Sequence, residues 1–129
     1  MILTFSSTRL VFRIAGKSKI HTIREDKARR WKPGMAIHFW SGNPRNVHRN
    51  PRQFAEGICT EVKEIEIKHA ASMKNTIINI DGKRLTWPEM LQLARNDGFV
   101  SLADFLVWFN EDFKGVVIHW NPNELKLIS

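Results

Sequence analysis

At 129 residues the chain fits one domain, residues 1–129, and its 43% hydrophobic and 26% charged content supplies one core and excludes a disordered tract. The single cysteine, Cys59, excludes an internal disulfide and suits a reducing, cytoplasmic setting. The formal charge of +7 is unevenly placed: Lys17, Lys19, Arg24, Lys27, Arg29, Arg30, Lys32, Arg45, Arg49 and Arg52 face only Glu25 and Asp26 in their stretch. Such a basic segment inside a folded domain favours contact with a polyanion, nucleic acid first, over a bare solvated face.

The opening Ile2 to Phe5 reads as a short strand, too brief for a signal peptide, and no apolar run approaches a membrane span. Leu10, Val11 and Ile14 make one helical face over Thr8 to Ala15, with Ser6, Ser7 or Thr8 as cap and Gly16 as stop. Ile20 to Arg24 is a β-rich strand. Asp26 to Lys32 is a charged turn or short helix closed by Pro33-Gly34. Met35 to Trp40 is a strand, and Asn43 to Pro51, rich in proline and asparagine, is a loop. Gly57 to His69 is a long strand whose apolar residues break strict alternation, which a bulge near Lys63-Glu64 restores.

Thr76 to Ile80, Asp81-Gly82 and Lys83 to Thr86 form a hairpin, because Asp-Gly accepts the positive φ of a primed turn. Pro88 to Ala94 is helical. Ser101-Leu102-Ala103-Asp104 reads as a capping box that starts a helix through Phe105, Leu106, Phe109 and Phe113. Val116 to Trp120 is a buried strand. Strands interrupted by short helices predict an α+β fold built as a small β-barrel with short flanking helices. The aromatic set Trp87, Phe99, Phe105, Trp108, Phe109 and Phe113 is expected in the core.

Lys27, Arg29, Arg30, Arg45 and Arg49 lie in an acid-free stretch with Trp31, Phe39 and Trp40 interleaved. Arginines contact phosphates and an exposed aromatic stacks on an unpaired base. Trp31, in a polar turn, is the expected stacker; Phe39 and Trp40, on a strand, belong to the core. The five histidines and one cysteine show no zinc spacing, so no metal and no cofactor are expected.

Gly16-Lys17-Ser18-Lys19-Ile20-His21-Thr22-Ile23-Arg24, then Lys32-Pro33-Gly34, Asn96-Asp97-Gly98-Phe99, Asp104-Phe105, Trp108-Phe109 and Val117-Ile118-His119-Trp120 follow one another in the order seen in the ASCH family. The chain resembles that family over nearly its whole length. The resemblance implies a PUA-like barrel with a cleft beside the lysine-bearing loop, and RNA or a modified pyrimidine nucleoside as partner. Some small bacterial members hydrolyse the amide of N(4)-acetylcytidine with a lysine, a threonine and a glutamate. Matched by motif, these fall at Lys19, Thr22 and Asp97, with Arg24 and Lys17 beside the ligand. Aspartate reaches roughly 1 Å less far than glutamate, a displacement worth on the order of a hundredfold in rate.

Such chemistry needs a lysine of lowered pKa as base, a hydroxyl nucleophile and a fixed cation for the developing oxyanion. Strand alternation puts Thr22 and Arg24 on one face, so Lys19 joins them only from a loop before the strand. Each residue also has a plainer reading: Thr22 as a strand former, Lys19 as a solvated lysine, Arg24 as an ion-pair partner of Glu25 or Asp97, Asp97 as a turn residue. A non-catalytic RNA-binding or adaptor module, and a ribonuclease using the same lysine, threonine and arginine, are the alternative functions.

Overall fold

The computed structural model describes residues 1–69 and 75–128. In chain order the elements are β1 (Ile2–Phe5), α1 (Thr8–Ala15), β2 (His21–Arg24), β3 (Ala36–Ser41), β4 (Arg52–His69), β5 (Thr76–Ile80), β6 (Lys83–Arg84), α2 (Trp87–Asn96), α3 (Leu102–Trp108), β7 (Phe113–Trp120) and β8 (Lys126–Leu127). This is a mixed α/β arrangement: a large sheet with three short helices among the described residues. The sheet runs β1-β3-β4-β5-β6, with β7 and β8 also on β4 and β2 on β7; only β1 and β3 pair in parallel. These ladders leave the sheet open and do not close it into a barrel among the described residues.

The 18-residue β4 organises everything else. It begins five residues earlier than its hydrophobic pattern predicts. Its irregularities fall opposite Phe39/Trp40 and between Cys59 and Glu61, not at Lys63-Glu64. The second shift has a physical reason in the burial pattern. Before it, Ala55 and Cys59 face one core cluster; after it, Val62 faces that cluster while Ile65 and Ile67 turn to the other. An extra residue reverses which face each side chain takes.

The sheet is therefore covered on both faces. Val117 and Ile23 join Met90, Ala94, Leu102 and Phe105 of α2 and α3 on one side. On the other, Ile118 and Trp120 join Leu3 and Phe5 of β1, Ile14 of α1 and Phe39 of β3. The alternation of β7 splits its side chains between the two.

The helices follow their end signals. Ser7 caps α1 through Leu10 N, and Gly16 ends it. Thr86 and Glu89 make a reciprocal capping box on α2 that the sequence reading overlooked. The expected hairpin is present, with Asp81 and Gly82 at φ 49° and 79°, although β6 is only two residues long. The expected helix through Phe113 stops at Trp108. Asp112 instead accepts from His69 N, and Phe113 opens β7 three residues earlier than predicted.

Two aromatic expectations are reversed. Trp31 is 9% exposed and packs in the core with Phe39 and Trp120, because Asp26 folds the turn back by accepting from Arg30 N and Trp31 N. Trp87 and Trp108, expected inside, are 63% and 59% exposed. Trp87 begins α2 and Trp108 ends α3. No described helix is long and apolar enough to cross a membrane.

Candidate functional site

The loop between α1 and β2 is built to turn a lysine inward. Past Gly16 the chain enters a left-handed conformation at Lys17, φ 67°. Ser18 N and Lys19 N then both donate to Arg13 O, and Ile20 N donates to Asn96 O at 2.8 Å. That last bond ties the loop to the end of α2. Because β2 starts at His21, Lys19 sits before the strand, as the expected constellation requires.

The end of α2 supplies the acid. Asp97 is the helix C-cap, its N–H bonded to Leu93 O, and the chain turns away at Gly98, φ 93°. A side chain at 98 would be strained, and its Cβ would stand 3.3 Å from Lys19 Cδ and from Leu10. Glycine here keeps the lysine's path clear.

Lys19 Nζ donates to Asp97 Oδ1 at 2.8 Å and to Asp97 O at 2.7 Å, 78 residues away in sequence. His21 Nδ1 lies 3.2 Å from the same Oδ1, and since a carboxylate oxygen only accepts, the imidazole donates from Nδ1. Lys19 is 1% exposed and Asp97 3%. A cation at a helix C-terminus also meets the negative end of the helix dipole. Burial pushes the Lys19 pKa below its usual value; Asp97 opposes that shift and Arg24 adds to it.

Arg24 approaches from the other face of β2. Its Nη2 donates to Thr4 O at 2.9 Å, and its guanidinium lies 4.9 Å from the Phe5 ring centroid. Lys19 Nζ lies 5.9 Å from the same centroid. Phe5 thus has two basic side chains within 6 Å of its ring. Burial lowers the Arg24 pKa, with Asp97 acting against it. Arg24 Nε is buried with no hydrogen-bond partner among the described residues. Thr22 is buried on the Arg24 face of the strand and makes no side-chain hydrogen bond among the described residues.

So Lys19, Asp97 and Arg24 converge, while the remaining expected residues scatter. Lys17 is exposed at its turn. Lys27 and Arg29 line a cleft of about 460 Å³ with Asp26, Glu64, Glu66 and Lys114. Arg30 is exposed, as are Arg45 and Arg49 in the loop after β3. Only Arg49 comes near the convergent group: it lines a cleft of about 400 Å³ together with Phe5, Ser6, Thr8, Ser41 and Asn50. The expected continuous basic rim, with Trp31 as its stacking aromatic, is not what forms, since the two basic turns open onto different clefts.

The sequence marked no site role for Phe5 or His21, while His119, on an apolar strand, reads as a core or pocket-wall residue. His21 carried one usable signal, its spacing of two from Lys19 at the strand edge. His119 pairs with His21 across β2 and β7, the rings edge to face at 5.1 Å. Burial first, then His21, lowers its pKa to about 4. A folded value below the unfolded 6.5 means that unfolding takes up a proton between those limits. The contribution is full above pH 6.5 and is lost as pH falls towards 4. His119→Gln is expected to flatten this acid limb by about 1 kcal/mol, after discounting for a ring that is partly exposed. Thermal melts of both proteins from pH 4 to 7.5 check it; parallel acid limbs would contradict it.

Among the described residues no group of three or more His, Cys, Asp or Glu is placed to hold a metal ion. Compared with known proteins, the chain matches no protein-family model, no curated protein and no solved structure.

Proposed function

We propose that this chain is an RNA- or modified-nucleoside-binding domain of the ASCH type, its open sheet corresponding to a PUA-like barrel wall. The observation that carries the reading is the setting of Phe5. Phe5 lies within 6 Å of Lys19 and Arg24 and, though only 3% exposed, borders a cleft of about 400 Å³ that also presents Arg49, Ser6, Ser41 and Asn50. That volume lies in the range of small-molecule sites, and an apolar floor with a few hydroxyl, amide and guanidinium groups suits a nucleoside with its phosphate. The ordered motifs from Gly16 to Trp120 support the same family.

A second reading, hydrolysis of the N(4)-acetylcytidine amide, is favoured by the Lys19–Asp97 pairing. Burial makes a neutral lysine amine more accessible, and a neutral amine is the base that a threonine or water nucleophile needs. In this reading Asp97, bonded to both Lys19 and His21, relays that proton to the leaving amine of cytidine. The other product is acetate, with one water consumed. The burial of the pair means that substrate enters only once Lys19 leaves Asp97.

The test is titration of the protein with N(4)-acetylcytidine and with single-stranded RNA, followed by chromatography of the nucleoside. Saturable binding weakened about tenfold by Arg49→Gln is expected, a loss typical of one charge-assisted hydrogen bond. Binding of neither compound rejects the reading. Release of cytidine that survives in Arg49→Gln at saturation but not in Thr22→Val supports the hydrolase. Shortened RNA points instead to a ribonuclease.

A further inference from the structure

The aromatics that the fold exposes differ from those the sequence marks, and two of them stand on neighbouring helices. Phe12 of α1 is 71% exposed and Trp108 of α3 is 59% exposed. On α1, Arg9 lies three residues before Phe12 and shares its patch of helix surface, whereas Arg13 is half-buried with its Nε enclosed. Neither arginine forms an ion pair among the described residues, and α1 has no acid. Arg13 Nε has no hydrogen-bond partner there either.

A cleft of about 440 Å³ joins the two helices, lined by Arg9 and Leu10 from α1, Phe99 between them, and Asp104, Val107 and Trp108 from α3. Phe99 is the spacer. Its ring centroid is 6.0 Å from that of Trp108, and the Arg9 guanidinium also lies 6.0 Å from it. The indole is thus propped outward with a cation beside it. Asp104 is the single acid of the cleft, at the first turn of α3.

We propose that this α1–α3 face binds single-stranded nucleic acid, with bases stacked on Phe12 and Trp108 and a phosphate held by Arg9. The inference rests on the RNA-binding reading and gives it a surface separate from the Phe5 cleft. Charge favours a polyanion over a protein partner: α1 carries Arg9 and Arg13 with no acid, and neither forms an ion pair among the described residues. Aromatic platforms flanked by cations accept any base, because every base has a π-face and each nucleotide brings one phosphate.

The experiment is fluorescence anisotropy of a short labelled oligouridylate with the full chain over a range of salt. Phe12→Ser and Trp108→Ser are each expected to weaken binding about tenfold, and Arg9→Gln to reduce the salt slope by about 0.7. All three side chains are exposed, so thermal melts should match those of the unsubstituted protein. Unchanged affinity in Phe12→Ser and Trp108→Ser, with binding still weakened by Arg49→Gln, overturns this surface and leaves the RNA-binding reading standing. Loss of self-association with RNA affinity intact also overturns it, by assigning the face to a second copy. Absence of any binding by the unsubstituted chain overturns both.

Discussion

Lys19→Met is expected to cost about 3–5 kcal/mol of folding stability, the range for leaving one member of a buried ion pair without its partner. The residue left behind is Asp97, 3% exposed, its charge then offset by the 3.2 Å contact to His21 and the more distant Arg24. Asp97→Asn should cost less. Its amide oxygen still accepts from Lys19, and the lysine, its pKa already lowered by burial, sheds its proton more easily than a free one. Combining the two substitutions should recover part of the loss, with a coupling of roughly 1–3 kcal/mol. Urea unfolding of the four proteins completes the cycle. Strict additivity would mean that the pair does not act as a unit.

The same series bears on function. If Lys19 serves only to join the end of α2 to the loop before β2, the double variant should fold and still bind nucleosides. If the Lys19–Asp97 pair also performs the chemistry, the double variant should fold, bind, and release no cytidine. Stability and chemistry are separated by comparing binding with turnover in one protein.

Gly115→Ala is the second large effect, expected on the order of 3 kcal/mol, at the top of the usual range for overpacking. A Cβ at Gly115 would fall against Arg24 O and 2.7 Å from the Phe113 ring. The carbonyl belongs to β2, which pairs only with β7 among the described residues, so relief requires moving the strand that carries Thr22 and Arg24. Gly57→Ala is the natural control. Its Cβ would meet Leu125 Cδ2 at 2.7 Å, but that is the tip of a flexible side chain and can turn aside. Denaturant midpoints should therefore separate the two alanines clearly. A loss below about 1 kcal/mol at Gly115 would show that β2 shifts freely, and would weaken any argument from the fixed position of Arg24.

Local chemistry was readable wherever a residue's own neighbours decide its conformation. The bounds of α1, the Asp81-Gly82 turn, the Ser101 cap and the loop position of Lys19 all follow from capping, positive φ or strand length, which act over a few residues. The pairing of Lys19 with Asp97 was legible only as a motif match, because nothing in the spacing of residues 78 apart predicts contact. The shape of β4 was less legible still. Whether Thr60 or Lys63 takes the irregularity depends on which face each core demands, and both cores are assembled from distant elements.

The aromatic residues show the division most plainly. Composition determined that this chain carries a strong positive charge and enough apolar mass for a core. It did not determine which rings stay outside. Trp31 sits in a polar run yet is buried, because Asp26 bends the turn onto the sheet. Trp108 follows apolar neighbours yet is exposed, because α3 ends there and its inner face is already filled by Leu102, Phe105 and Leu106. Burial of a side chain is settled by the space that other elements leave, and that space exists only once the two faces of the sheet have been covered.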